Sequence, residues 1–304
     1  MSQRKSLQEL TIKNNFMFAA VMLDPQNCQE LLELILNIPI SRVKVDAEKS
    51  LVYDPRYRGI RMDVYVKDEN NTCFDVEMQV RTDSIEKRSR YYHSHMDMEA
   101  LQRGLEYELL PDSYVIFICD FDPVGAGKYV YTEGRYYLEA PEYPVQDGHH
   151  TIFLSTCGEN KEEVPAPLVR FLEFVKADLP ESEKDFGDAF IGRLQDSIRH
   201  IRTSREMGEH YMWLELALRD ERIAGRAEGR AEGKAEGREE GKAEGKAEGK
   251  AEAVLELLSD LGEVPESWKG RILAVQDGAV LRKLLKAAAR AESLESFEKL
   301  SGPF

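Results

Sequence analysis

Three residues carry the chemistry this chain most clearly offers: Asp63, Glu77 and Gln79. Asp63 lies in the run Gly59-Ile-Arg-Met-Asp-Val-Tyr-Val66, and the other two lie in Phe74-Asp-Val-Glu-Met-Gln-Val80. Both runs are rich in Val, Ile, Tyr and Phe, and Lys67-Asp-Glu-Asn-Asn-Thr72 between them is a turn signal, so the pair reads as an antiparallel hairpin. Strand side chains alternate with period two, which puts Glu77 and Gln79 on one face and lets Asp63 meet Glu77 from the neighbouring strand. Two converging carboxylates suit a hard divalent cation such as Mg²⁺, which takes one or two carboxylates and keeps several waters. A metal held there lowers the pKa of a water and offsets charge developing on a phosphodiester. The spacing alone does not separate this reading from one of solvated strand residues.

Further blocks stand in order around these three. Leu10-Thr-Ile-Lys-Asn-Asn-Phe-Met-Phe18 precedes them, and Arg90-Tyr-Tyr-His-Ser94, Gln102-Arg-Gly-Leu-Glu-Tyr107 and Tyr114-Val-Ile-Phe-Ile-Cys-Asp-Phe121 follow. Together with Asp63 and Glu77-x-Gln79, they make the stretch from about residue 10 to about residue 157 resemble the Rpn family of recombination-promoting nucleases and transposases, a branch of the PD-(D/E)XK superfamily. The resemblance implies an α/β fold, a restriction-endonuclease-like mixed sheet flanked by helices. It implies a metal-dependent DNA endonuclease tied to recombination or mobile elements, with Asp63 and Glu77 as Mg²⁺ ligands, Mn²⁺ as a substitute, and Gln79 positioning the attacking water.

The sequence departs from the pattern at two places. The parent superfamily carries Lys where this chain has Gln79, and a neutral amide orients a water without neutralising charge. A metal or a nearby arginine must then carry more of the load. Arg81, on the Glu77 face if the strand continues, and Arg90 on the next helix are the candidates, also as DNA contacts. Asn15 stands where many relatives are expected to carry Asp, which leaves open what the first helix adds to the metal site.

Composition bounds the setting. With 41 Lys and Arg against 56 Asp and Glu, the net charge is −15, which argues against a protein that coats nucleic acid nonspecifically. Residues 56 to 103 are different, with nine cationic and nine anionic side chains that cancel, so a bound metal would tip this patch positive toward DNA. No run of eighteen apolar residues marks a membrane span and the start is polar, so the reading is cytoplasmic. Cys28, Cys73, Cys119 and Cys157 are scattered and form no CxxC pair, which favours buried thiols over disulfides or zinc. His93 and His95, two apart on a helix, diverge by roughly 160° and cannot chelate together.

The elements that must position the site follow from periodicity. A helix through Cys28–Leu36 precedes about three strands over 40 to 80, a helix covers 84 to 107, and 113 to 121 is apolar enough for a central strand buried on both faces. Residues 128 to 156 add strands, with Pro141 and Pro144 marking loops. The expected organisation is a nuclease domain at 1–160, a helical arm at 161–224 that is either packed on the sheet or used for dimerisation, a repeat connector at 225–252 and a small helical module at 253–304.

The connector repeats Gly-Lys/Arg-Ala-Glu from Gly225 to Glu252, with Gly237-Arg-Glu-Glu240 the one imperfect unit. On a helix each residue type forms a stripe that drifts by about 40° per repeat. Like charges at i, i+4 and a glycine in every unit make a lone helix weak, so a disordered spacer competes with a coiled-coil-like parallel homodimer in which Lys/Arg of one copy faces Glu of the other. Gln79 and the acidic balance favour a second reading, against which intact Asp63 and Glu77 weigh: a catalytically weak or inactive DNA-associated scaffold that self-assembles through the repeat and tail. The tail predicts short helices at Ala253–Leu258, Arg271–Val275 and Val280–Leu285.

Overall fold

The computed structural model describes residues 5–47, 49–51, 59–82, 84–101 and 103–302. Arg56, Arg58 and Asp83 of the charge-balanced window, and Gln102, lie outside them. Two compact units divide the chain, Met1–Leu214 and Glu215–Phe304.

In the first unit, helices α1 (Asn15–Met22) and α2 (Pro25–Leu36) precede strand β1 (Val43–Ala47). A short ribbon of β2 (Ser50–Leu51) and β3 (Ile60–Arg61) leads into the hairpin of β4 (Val64–Asp68) and β5 (Cys73–Gln79). The hairpin turn is closed by Asp68, whose Oδ1 accepts the N–H groups of Asn70 and Thr72 at 2.8 Å each. Asn71 takes the left-handed conformation there, at φ 64°, which asparagine tolerates better than most residues. This turn fixes a register of Val64 opposite Val76 and Tyr65 opposite Asp75, so one step further Asp63 faces Glu77. The run 59–66 is not one strand: it breaks at Met62 and Asp63, between β3 and β4.

After the hairpin come α3 (Ile85–Ala100), β6 (Ser113–Cys119), β7 (Val130–Thr132), β8 (Tyr136–Tyr137), β9 (Ala140–Pro144) and β10 (His149–Ser155). The main sheet has the order β1-β4-β5-β6-β10-β7 and is mixed, with β5, β6 and β10 parallel and the flanking pairs antiparallel. Parallel neighbours require a crossover, and α3 supplies the one between β5 and β6. Helix α3 is shorter than its periodicity suggests: Leu101 is already extended, and Gly104 adopts φ 92°. Pro141 and Pro144 lie within β9, not in loops, because the two-stranded ribbon β8-β9 leaves ladder positions that need no N–H donor.

Alternation assigns each strand residue to one of two layers. Phe74, Val76, Met78, Ile116, Ile118 and Leu154 face a core shared with α1 and α2, while Cys73, Val115, Phe117, Cys119 and Phe153 face the α3 side with Tyr92 and Met96. Strand β6 is therefore buried on both faces, as its apolar run requires. Helices α4 (Ala166–Lys176), α5 (Leu179–Ser182) and α6 (Ala189–Thr203) follow, and α7 (Arg205–Ser259) begins in this unit. Leu168, Phe171, Leu172, Phe174, Leu194 and Ile198 join the α1 and α2 core, so these helices pack as one body with the sheet.

The second unit has its own core. The end of α7, α8 (Glu266–Leu273), α9 (Gly278–Ala288) and α10 (Leu294–Ser301) enclose Val254, Leu258, Ile272, Leu281, Leu284 and Phe297. Residues 225–252 are helical, within α7. Among the described residues no helix is long and apolar enough to cross a membrane.

Candidate active site

The α3 side of β5 carries Asp75, Glu77 and Gln79 at alternate positions, and the loop before β4 brings Asp63 against them. Asp63 and Glu77 are both buried, at 7% and 3% exposure. Asp63 N–H donates to Glu77 Oε1 at 3.0 Å, which ties the Asp63 backbone to the Glu77 side chain. The Asp63 Oδ2 atom accepts from the N–H of Met78 at 3.2 Å and from Asn15 Nδ2 at 2.6 Å. Asn15 also donates to the Met78 carbonyl at 3.1 Å, so the first helix does reach the site, as a donor.

The arginine beside the carboxylates is Arg88. From α3 its Nη2 donates to Glu77 Oε2 at 2.8 Å and to Tyr92 Oη at 3.0 Å, and its Nη1 donates to Gln79 Oε1 at 2.5 Å. The guanidinium carbon lies 5.4 Å and 5.5 Å from the ring centroids of Tyr92 and Phe117, a cation–π environment on its apolar side. With Gln79 Oε1 engaged, the amide end left for a substrate or water is its Nε2 donor. Arg81 is exposed and lies beyond the end of β5, because the strand stops at Gln79. Arg90 is exposed on the other flank of α3, where it lines a cavity of about 430 Å³ with His93, His149 and Arg135. Neither joins Asp63 and Glu77.

Burial sets the electrostatics. It pushes the Asp63 carboxyl up to about 6 against the pull of the Met78 N–H and Asn15. Glu77 is pushed up to about 8 by burial and by the Asp63 charge, with the Asp63 N–H and Arg88 opposing. Asp75 is raised well above the usual range by burial and then by Glu77 and Asp63. Asp75 is fully buried, and its carboxyl oxygens find no hydrogen-bond partner of acceptable geometry among the described residues.

Three acidic groups are thus gathered near one arginine, and burial keeps protons on them that a bound cation would displace. The donor set is oxygen and fits a hard divalent ion. Asp63 and Glu77 are the carboxylates that could hold such an ion; among the described residues no group of three or more His, Cys, Asp or Glu is arranged to hold a metal.

A family model for PD-(D/E)XK nuclease family transposases matches residues 13–139. That segment is a PD-(D/E)XK nuclease family domain. Asn15, Asp63, Glu77, Gln79 and Arg88 all fall inside the match, whereas β10, which pairs with β6, lies beyond it. No curated protein and no solved structure matches the chain.

Sequence reasoning singled out Asp63, Glu77 and Gln79, which the fold brings together, but missed Arg88 and the donor role of Asn15. A signal for Arg88 was present. On a helix, residue 88 stands one turn before Tyr92, which faces the sheet, while residue 90 is turned away by roughly 200°.

Proposed function

We propose that the chain is a metal-dependent DNA endonuclease that hydrolyses phosphodiester bonds, acting in recombination or element mobility. The observation that carries this is the union of Asp63, Glu77 and Gln79 at one point of a PD-(D/E)XK domain, with Arg88 bonded to two of them. Asp63 and Glu77 are the residues that would hold Mg²⁺, with Mn²⁺ as a substitute. Such an ion supplies an activated water and offsets charge on the scissile phosphate.

The chain's own residues do the rest. Asn15 and the Met78 N–H hold Asp63 Oδ2, and Oδ1 is the oxygen that would take a ligand. Gln79 offers its amide N–H to orient the attacking water. Arg88 supplies the positive charge that an amide cannot, close to where a phosphate would lie against Glu77 and Gln79. Tyr92 and Phe117 keep that guanidinium oriented.

The test is plasmid nicking by the purified full chain with Mg²⁺, Mn²⁺ or EDTA, beside Glu77→Ala. Metal-dependent nicking lost in the variant supports the assignment. Absence of cleavage by folded protein across metals and DNA forms would favour the scaffold reading.

The repeat suggests a partner as well. Residues 225–252 are helical, and the four-residue period of the sequence on a helix would give glycine, basic and acidic stripes, so that a parallel two-fold pair would set Lys/Arg of one copy against Glu of the other. Sedimentation of the full chain beside a deletion of 225–252 tests this, and identical monomers would exclude it.

A further inference from the structure

Helix α9 turns Leu281, Leu284, Ala287 and Ala288 into the core of the second unit. Its opposite face and the turn that ends it carry Arg282, Lys283, Lys286 and Arg290, all exposed. No acidic residue occurs from Gly278 to Ala291, and among the described helices α9 alone carries basic side chains without an acidic one. The described ion pairs of this unit involve Lys242 and Lys269 and none of these four cations.

Such a face is unusual in a chain of net charge −15. Like charges at i, i+3 and i, i+4 repel, which works against the helix that bears them. Lys286 and Arg290 are explained in part by the negative end of the helix dipole, but Arg282 and Lys283 sit mid-helix, where the dipole gives them nothing. Local helix energetics therefore do not account for the concentration, whereas an anionic partner does.

We propose that this face of α9 docks on the sugar-phosphate backbone of duplex DNA. Arg282 and Lys286 are spaced by about 6 Å along the helix axis, and Arg290 follows in the turn beyond it. A duplex presents a phosphate charge about every 1.7 Å of its own axis, so each cation finds one without any demand on base sequence. The choice of DNA rests on the nuclease reading above. Contact made from the second unit would supply phosphate affinity that the charge-balanced surface around Glu77 lacks, and would leave the catalytic face free to select what is cut.

The experiment is fluorescence anisotropy of the full chain on a short labelled duplex of mixed sequence, in EDTA, across a salt series. A variant with Arg282→Gln, Lys283→Gln, Lys286→Gln and Arg290→Gln is compared with a control in which Lys161, Lys184, Arg199 and Arg205, exposed cations elsewhere, are changed to Gln. Glutamine matches Lys and Arg in helix propensity, and circular dichroism checks the fold of each. The α9 variant is expected to bind at least about tenfold more weakly at low salt, with a salt slope shallower by roughly 3 to 4, while the control stays within about twofold of the parent. An Arg282→Lys, Arg290→Lys variant, which keeps the charge, is expected to bind as the parent does. Parent-like affinity and slope in the α9 variant, or equal weakening in the control, would overturn the proposal. A change in sedimentation of the α9 variant with unaltered DNA affinity would do so too, by assigning the face to a protein partner. Binding in EDTA is independent of cleavage, so loss of the nuclease reading in the plasmid assay and loss of this one are separate results.

Discussion

Arg88 Nη1 lies 2.5 Å from Gln79 Oε1, so the positive charge missing from the strand at position 79 arrives from α3. The same guanidinium holds Glu77 at 2.8 Å, which links the neutral amide and the buried carboxylate through one side chain. Changing Arg88 to Gln is expected to reduce metal-dependent plasmid nicking by about 100-fold or more, the loss typical of removing one preorganised donor from a site of developing charge. Adding Gln79→Lys to that variant is expected to restore activity in part, by returning the charge from the strand. Nicking rates of the single and double variants decide the matter, and unchanged nicking in Arg88→Gln would remove the residue from the site.

Asn15 is a donor between two acceptors, the Asp63 carboxylate and the Met78 carbonyl. Asn15→Asp replaces that donor with a further carboxylate. In EDTA the variant is expected to lose about 1–3 kcal/mol in urea unfolding at neutral pH, the cost of leaving buried acceptors without a donor. Mg²⁺ is expected to recover part of the loss. If the variant unfolds with the parent in EDTA, the hydrogen bond does not hold Asp63.

The buried carboxylates give the metal-free protein a specific pH dependence. Each is raised above its unfolded value, to about 6 for Asp63 and about 8 for Glu77, so the folded state binds the proton more tightly. The resulting stability is complete below the unfolded values and is lost as pH rises through those folded ones. In EDTA the melting temperature is therefore expected to fall from about pH 5 to about pH 9, and Glu77→Gln is expected to flatten the fall. Metal ligands must be deprotonated, so the gain in melting temperature from Mg²⁺ should grow over the same range. A flat profile in EDTA would show that these groups titrate normally.

His93 acts in the opposite sense. It is buried, its Nδ1 lies 2.8 Å from Ser113 Oγ and its Nε2 lies 3.2 Å from Thr151 Oγ1, and burial followed by the neighbouring His149 pushes its pKa down to about 4. A neutral histidine that must remain neutral contributes stability above its unfolded pKa near 6.5 and loses it as pH falls toward 4. The difference in urea midpoint between the parent and His93→Asn is expected to shrink across that window. A constant difference would indicate a packing role alone.

Helices α4 and α6 fill the same core as α1 and α2, with Phe171 and Leu172 fully buried. A chain ending at residue 160 is expected to be insoluble or unfolded. Phe171→Ala in the full chain is expected to cost about 3–5 kcal/mol in urea unfolding. A soluble, cooperatively folding 1–160 fragment would show that the sheet does not need these helices.

Much of this was legible in the sequence because its signals are local. Period-two alternation and a polar turn are enough to place Glu77 and Gln79 on one face, and the apolar run at 113–119 marks a strand covered on both sides. The interruption at Met62 and Asp63 was not legible, since a bend at the edge of a hairpin leaves the residue types of the run unchanged. The prolines of β9 misled for a related reason: they are breakers only where the N–H is needed, and a ribbon edge does not need it.

What the sequence by itself determined is which acidic side chains stand within reach of one another, the strand face that Glu77 and Gln79 share and the nuclease-type domain that holds them. Only the tertiary structure decided which arginine serves them. The choice among Arg81, Arg88 and Arg90 depends on where β5 stops, at Gln79, and on how α3 is rotated over the sheet, which the packing of Tyr92 and Met96 with Phe117 fixes. The same holds for Asn15, which stands 48 residues from Asp63 in the chain yet 2.6 Å from its carboxylate. Residue types limit which bonds a side chain can make, but packing against distant elements selects its partner.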